Sequence, residues 1–210
     1  MSEILTGELP GKYHPYLTYL SGPSFAKEVA EGKPANVTVA GQSEGVRKRV
    51  QEWMGGSSFR IYTSADVVGV QVGGAVKNVL AIAVGACDAM GFGLNAQASL
   101  ITRGLAEITR LAVAKGANPL TLSGHAGIGD LVLTCTGSLS RNRRVGYALG
   151  TGQSLESIVS SMKMVAEGVE TAHSVSNLAG KLNVSMPISE QVAGVLHHGK
   201  QLEPAATELM

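Results

Sequence analysis

The fold of this chain turns on residues 68–90, VGVQVGGAVKNVLAIAVGACDAM. Rich in Gly, Ala and Val and free of proline, the stretch reads as one long helix from Val68 to Met90. A second helix is expected from Asn95 to Lys115, with Asn95 as its cap and Gly116 as its stop. It sets Leu100, Leu105, Ile108, Leu111 and Ala112 near helical spacing, with Arg103, Glu107 and Arg110 on another face. Asn118-Pro119 restarts a helix in the cap-then-proline pattern. Shorter helices are expected at 130–135, 141–149, 155–161, 169–182, 189–198 and 204–209. No convincing strand follows Ala65.

Upstream the pattern changes. Residues 1–9 read as the end of a helix, Tyr16 to Leu20 as a strand, and Gly22-Pro23-Ser24 as a turn whose Ser24 caps a helix from Phe25 to Glu31. Ala35 to Ala40 (ANVTVA) and Phe59 to Thr63 (FRIYT) read as strands, separated by a helix from Glu44 to Met54 behind the cap Ser43. Strands alternating with short helices indicate an α/β layer. The expectation is a partial α/β layer over 1–65 followed by an all-helical domain over 66–210, with the boundary near Asp66. No GxGxxG occurs, and about three strands are too few for a complete doubly wound sheet. An unfinished sheet exposes apolar faces and unpaired backbone groups. Of the two explanations, a second polypeptide or a missing beginning, the second is preferred.

Composition narrows the function. The 210 residues include 17 Lys and Arg against 16 Asp and Glu, so no global field attracts polyanions, and a general nucleic-acid binder is not expected. Gly, at 27 residues, is about twice as frequent as usual without a G-X-Y period, which points to close backbone packing. Cys87 and Cys135 are too few for a disulfide framework and read as buried thiols in a reducing compartment. No secretory signal opens the chain, and the most apolar run, Val79 to Cys87, is about half a bilayer span. A soluble, cytoplasmic protein without membrane insertion is expected. His14, His125, His173, His197 and His198 show no metal-like spacing, and no metal site is expected.

Three places could carry chemistry. Lys77, within GGAVKNVLAIAVGA, must either reach water or find buried partners, and a desolvated amine would be a competent proton donor or acceptor. It could equally be an exposed lysine on a polar stripe. Asn78 could serve a neighbouring polar pocket or simply pack. Asp130 and Thr134, four apart, share a helix face, and Asp130 is either a site carboxylate or only an N-terminal cap. Ser140-Arg141-Asn142-Arg143-Arg144 puts a hydroxyl, an amide and guanidinium groups at a helix start, which suits a phosphate monoester better than a solvated basic face. Glu167 is either ligand-facing or an ordinary acidic helix start.

Together these segments resemble the NAD(P)-dependent glycerol-3-phosphate dehydrogenases. The resemblance rests on LSGPSFAKEVAEGKPANVTVA (20–40), GGAVKNVLAIAVGACDAMGFGLNAQASLITRGLAEI (73–108), GIGDLVLTCTGSLSRNRRVG (127–146) and VAEGVETAHSV (165–175), in that order. It implies the end of a Rossmann-like domain followed by a helical, 6-phosphogluconate-dehydrogenase-like domain, with the site between them. It implies hydride exchange between NAD or NADP and C2 of glycerol 3-phosphate or dihydroxyacetone phosphate. On that pattern Lys77 relays the proton and Asp130 orients it, with Asn78 and Thr134 close by. Ser140, Arg141 and Asn142 hold the substrate, Gly22 and Ser24 contribute from the first domain, and Ala26, Arg141, Val165 and Glu167 touch the cofactor. The resemblance also implies a possible homodimer. Family members begin with a Gly-rich phosphate turn and carry another substrate lysine before SGPSFA, and this chain shows neither. Little or no turnover by these residues alone is therefore expected, with only the nicotinamide end of the cofactor contacted. The competing readings are a non-enzymatic helical dimerisation module derived from such an enzyme, and a related dehydrogenase of a different hydroxy acid.

Overall fold

Asp66 closes the strand-bearing part of the chain by capping the long helix after it. Its carboxylate accepts the Gly69 amide at 2.8 Å and, with its other oxygen, the Asn118 amide at 2.9 Å. The computed structural model describes residues 1–162 and 165–209. Before Asp66 run α1 (Ser2–Glu8), a 3-10 turn (Gly11–Tyr16), β1 (Thr18–Ser21), α2 (Ala26–Ala30), β2 (Ala35–Gly41), α3 (Glu44–Met54) and β3 (Phe59–Ser64). The strands form one sheet in the order β1-β2-β3. β1 meets β2 antiparallel, with Leu20 opposite Val39, and β2 meets β3 parallel across the α3 crossover, with Val37 opposite Ile61. Val37, Val39 and Ile61 form a small core under α3 with Val50 and Phe59.

Three details differ from the sequence reading. The first strand begins at Thr18, because Pro10 and Pro15 favour the preceding 3-10 turn. Ser24 caps no helix: its hydroxyl donates back to the Gly22 carbonyl at 3.0 Å, and α2 starts at Ala26 behind Phe25. Asn95 lies inside the first turn of its helix, which begins at Gly93.

The helical part is built on α4 (Val67–Ala89), followed by α5 (Gly93–Ala114), α6 (Pro119–Leu122), a π turn (His125–Gly129), α7 (Asp130–Thr136), α8 (Arg141–Gly150), α9 (Leu155–Ser161), α10 (Glu167–Leu182), α11 (Pro187–His197) and α12 (Leu202–Leu209). α5, α7, α8, α10 and α11 all pack on α4. Val79, Leu80, Ala81 and Val84 of α4 are buried in one continuous core. The small residues serve that packing. A Cβ at Gly146 of α8 would collide with the Ile82 carbonyl of α4, so only glycine permits this approach. α4 is longer than the apolar run Val79–Cys87 and could cross a bilayer by length and composition, yet 67% of its apolar window is buried inside the protein.

The charged face of α5 is an anchorage for the C-terminal helices. Glu107 is 1% exposed and accepts the amides of Ile188 at 2.6 Å and Ser189 at 3.1 Å, together with the Ser189 hydroxyl. Pro187 opens α11 without a side-chain cap of its own, so a carboxylate from another helix meets its unpaired N–H groups. Arg103 bonds the Leu209 carbonyl, and Arg110 bonds the Ser185 carbonyl at 2.8 Å.

Candidate active site

A cleft of about 470 Å³ opens between the segment 22–27 and helices α4, α7 and α8, with the start of α10 at its edge. Its volume lies in the range of small-ligand sites. The segment reaches the cleft because residue 22 is glycine. Its φ is +144°, and a Cβ there would stand 2.8 Å from the Val37 Cα. Gly22, Ser24, Ala26, Lys77, Asn78, Asp130, Thr134, Ser140, Arg141, Asn142, Arg144 and Glu167 line this cleft, whereas Arg143 and Val165, the latter 70% exposed, lie outside its lining.

Lys77 and Asp130 meet at the cleft wall, Nζ to Oδ2, at 2.5 Å, with side chains 17% and 4% exposed. Lys77 is thus partnered and still reaches the cleft. Asp130 makes no cap bond to its own helix. Instead the Thr134 hydroxyl lies 2.6 Å from the Asp130 carbonyl and 3.3 Å from its Oδ1, and the Ser21 hydroxyl donates to Oδ2 at 3.4 Å. Asp130 thus does not serve its own helix as a side-chain cap. Asn78 is buried and makes no side-chain hydrogen bond among the described residues, leaving its amide for the cleft it lines.

The first turn of α8 forms the facing wall, and its residues divide. Ser140 is buried, and its oxygen accepts the Arg143 amide at 3.2 Å, so the hydroxyl proton remains free to donate. Asn142 is buried, and its Oδ1 accepts the Gly168 amide at 2.9 Å, which leaves its NH2 for other partners. Arg143 turns away, forming an ion pair with Asp88 of α4 at 2.5 Å, where Gln97 also donates to the carboxylate. Arg141 and Arg144 line the cleft. So do Ala26, at the start of α2, and Glu167, the first residue of α10.

Ser21 and Lys27 were missed in the sequence. Ser21 opens the SGPSFA segment and reaches Asp130, and Lys27 follows the segment and lines the cleft, but neither type in such a loop announces which way it faces. Cys87 and Cys135 are buried free thiols, pushed up by burial to about 11 and about 12. Among the described residues no three His, Cys, Asp or Glu are grouped to hold a metal ion.

Known proteins share the sequence and the fold of this chain. The family described as NAD-dependent glycerol-3-phosphate dehydrogenase C-terminus matches residues 66–207, and its N-terminal counterpart matches residues 1–46. The glycerol-3-phosphate dehydrogenase [NAD(P)+] of Myxococcus xanthus is 58% identical over 210 residues, which is 100% of this chain and 63% of that protein. The one from Leptospira biflexa is 53% identical over the same span, again 63% of its length. Glycerol-3-phosphate dehydrogenase from Coxiella burnetii superposes with a TM-score of 0.90 at 43% identity, covering 91% of this chain and 59% of that one. The chain therefore spans less than two thirds of the length of these relatives. From the α/β layer through the last helix, it belongs to the NAD-dependent glycerol-3-phosphate dehydrogenase family.

Proposed function

We propose that this chain is the substrate-holding and proton-transferring part of an enzyme that interconverts glycerol 3-phosphate and dihydroxyacetone phosphate with NAD or NADP. The observation that carries the reading is the Lys77–Asp130 pair at 2.5 Å, in the same cleft as Ser140, Arg141 and Asn142. In the reducing direction the Lys77 ammonium gives a proton to the C2 oxygen while hydride arrives at C2, and in the other direction it takes the proton back. Asp130 keeps that ammonium aimed, and Thr134 and Ser21 hold Asp130. Ser140, Arg141 and the Asn142 NH2 grip the phosphate, with Asn78, Gly22 and Ser24 shaping the three-carbon pocket. NAD or NADP, when bound, supplies or accepts the hydride. The wall fits its nicotinamide end: Ala26 carries nothing beyond Cβ, and Arg141 and Glu167 offer charged groups beside it. Val165 would touch only a part of the cofactor outside the cleft.

Without a Gly-rich phosphate turn, these residues alone give little or no turnover. Fusing the chain to the part of the Myxococcus relative that it does not cover tests the reading by nicotinamide absorbance. Turnover of dihydroxyacetone phosphate that vanishes in Lys77→Ala supports it, and undiminished turnover in that variant refutes it. The burial of α4 supports a protein that does not use this helix to cross a membrane. A cytoplasmic location and a homodimer belong to the same reading, and light scattering would test the dimer.

A further inference from the structure

Among the described residues, the arginines have partners, with two exceptions. Arg47 bonds the Gly41 and Gln42 carbonyls, Arg103 and Arg110 bond carbonyls near the C-terminus, and Arg143 pairs with Asp88. Arg49 and Arg60 lie over the rings of Trp53 and Tyr62, at 5.0 and 5.6 Å. Among the described residues, Arg141 and Arg144 alone have no carboxylate, carbonyl or ring. They stand three apart on α8 and so share a face.

Both line the cleft, and both also line a second cavity of about 450 Å³ adjoining it. The remaining lining of that cavity is apolar, from Val145 to Met162, apart from the neutral Gln153 and Ser161, and includes no carboxylate. Besides Asp130, which Lys77 engages, Glu167 is the carboxylate lining the cleft. Two arginines lining this space, with no bonded counter-charge among the described residues, offer a site for an anion. Their forked donors match the several terminal oxygens of a phosphate better than the two of a carboxylate.

We propose that Arg144 joins Arg141 in a two-guanidinium phosphate clamp where the cleft meets the second cavity. The clamp makes Arg144 an affinity-determining residue for phosphate-bearing ligands. It rests on the function proposed above only for the carrier of the phosphate, which is the three-carbon substrate or the dinucleotide.

Calorimetric titration of inorganic phosphate into the chain tests the clamp without either carrier. Arg144→Gln should weaken binding about ten-fold or more, the worth of a charge-assisted hydrogen bond. Arg60→Gln, outside the cleft, should leave it unchanged. Equal affinity in wild type and Arg144→Gln overturns the clamp, and so does an equal loss in Arg60→Gln. Should Arg144→Gln melt early, Arg144→Lys gives the same comparison, because it keeps the charge but not the fork. Titrating glycerol 3-phosphate and NADH separately then identifies the carrier as the ligand whose affinity falls in Arg144→Gln. If phosphate binding depends on Arg144 while glycerol 3-phosphate does not bind, the clamp stands and the proposed substrate falls. If Arg141→Gln weakens glycerol 3-phosphate while Arg144→Gln changes nothing, the substrate stands and the clamp falls.

Discussion

Asn142 Oδ1 accepts the Gly168 amide at 2.9 Å, tying the first turn of α8 to the first turn of α10. Each residue has a neighbour in the cleft: Arg141 precedes Asn142, and Glu167 precedes Gly168. One buried hydrogen bond thus fixes the separation of two charged groups on the cleft wall. Asn142→Ala leaves the Gly168 amide buried without a partner, at a cost of about 1–3 kcal/mol. The unfolding midpoint in urea should fall accordingly, and glycerol 3-phosphate should bind more weakly. Unchanged stability would show that water takes over the amide.

The Lys77–Asp130 pair is asymmetric in burial, and its two deletions should differ. Removing Lys77 leaves Asp130, 4% exposed, as a buried carboxylate with only hydroxyl partners. Removing Asp130 leaves Lys77, 17% exposed, beside an open cleft toward which its ammonium can turn. Breaking a buried pair costs about 3–5 kcal/mol when the survivor stays buried, and less when it reaches water. Lys77→Ala should therefore destabilise more than Asp130→Ala in urea titrations. In the fused enzyme, loss of the proton donor should lower kcat about 10²–10⁴-fold. Equal destabilisation would mean that Lys77 is held as tightly as its partner.

Local chemistry made much of this fold legible. Ser43 and Asn118 cap the helices their positions suggested, because an Asn or Ser oxygen reaches the amide two or three residues on whatever the tertiary surroundings. Ser24 failed by the same logic, since its hydroxyl found the Gly22 carbonyl instead. What was not legible depended on distant partners. Glu107 meets residues more than eighty positions away, and Ser21 meets Asp130 across more than a hundred. The run Ser140–Arg144 marks a helix start rich in cations, but only the neighbouring helix decides which guanidinium turns inward to Asp88.

Glu107 gives the fold a dependence on pH. Burial raises its carboxyl above the ordinary 4.5, against the lowering effect of the Ile188 and Ser189 hydrogen bonds. A folded-state pKa above the unfolded one means that the native state binds more protons between the two values. The stability it contributes is complete below 4.5 and is lost as pH rises through the folded value. Glu107→Gln removes the titration. Urea unfolding of the variant should show a flatter pH dependence above 4.5 than wild type, at lower overall stability because the amide cannot accept on both sides. Parallel curves would place the pH dependence elsewhere.

Arg141 and Arg143, two residues apart on α8, should separate cleanly between stability and binding. Arg143 is partly buried against Asp88, with side chains 21% and 27% exposed, and Gln97 completes the network. Arg143→Gln strands Asp88 between α4 and α8 and should lower stability by roughly 1–3 kcal/mol, discounted for the water that still reaches the pair. Among the described residues Arg141 has no such partner, and Arg141→Gln should leave the urea midpoint within about 0.5 kcal/mol of wild type. The binding order reverses, because Arg141 lines the cleft and the Arg143 guanidinium is already engaged. Glycerol 3-phosphate should lose about ten-fold or more in affinity with Arg141→Gln and far less with Arg143→Gln. Equal losses of affinity would mean that Arg143 acts on the ligand through the position of α8, so that helix packing and phosphate binding are coupled.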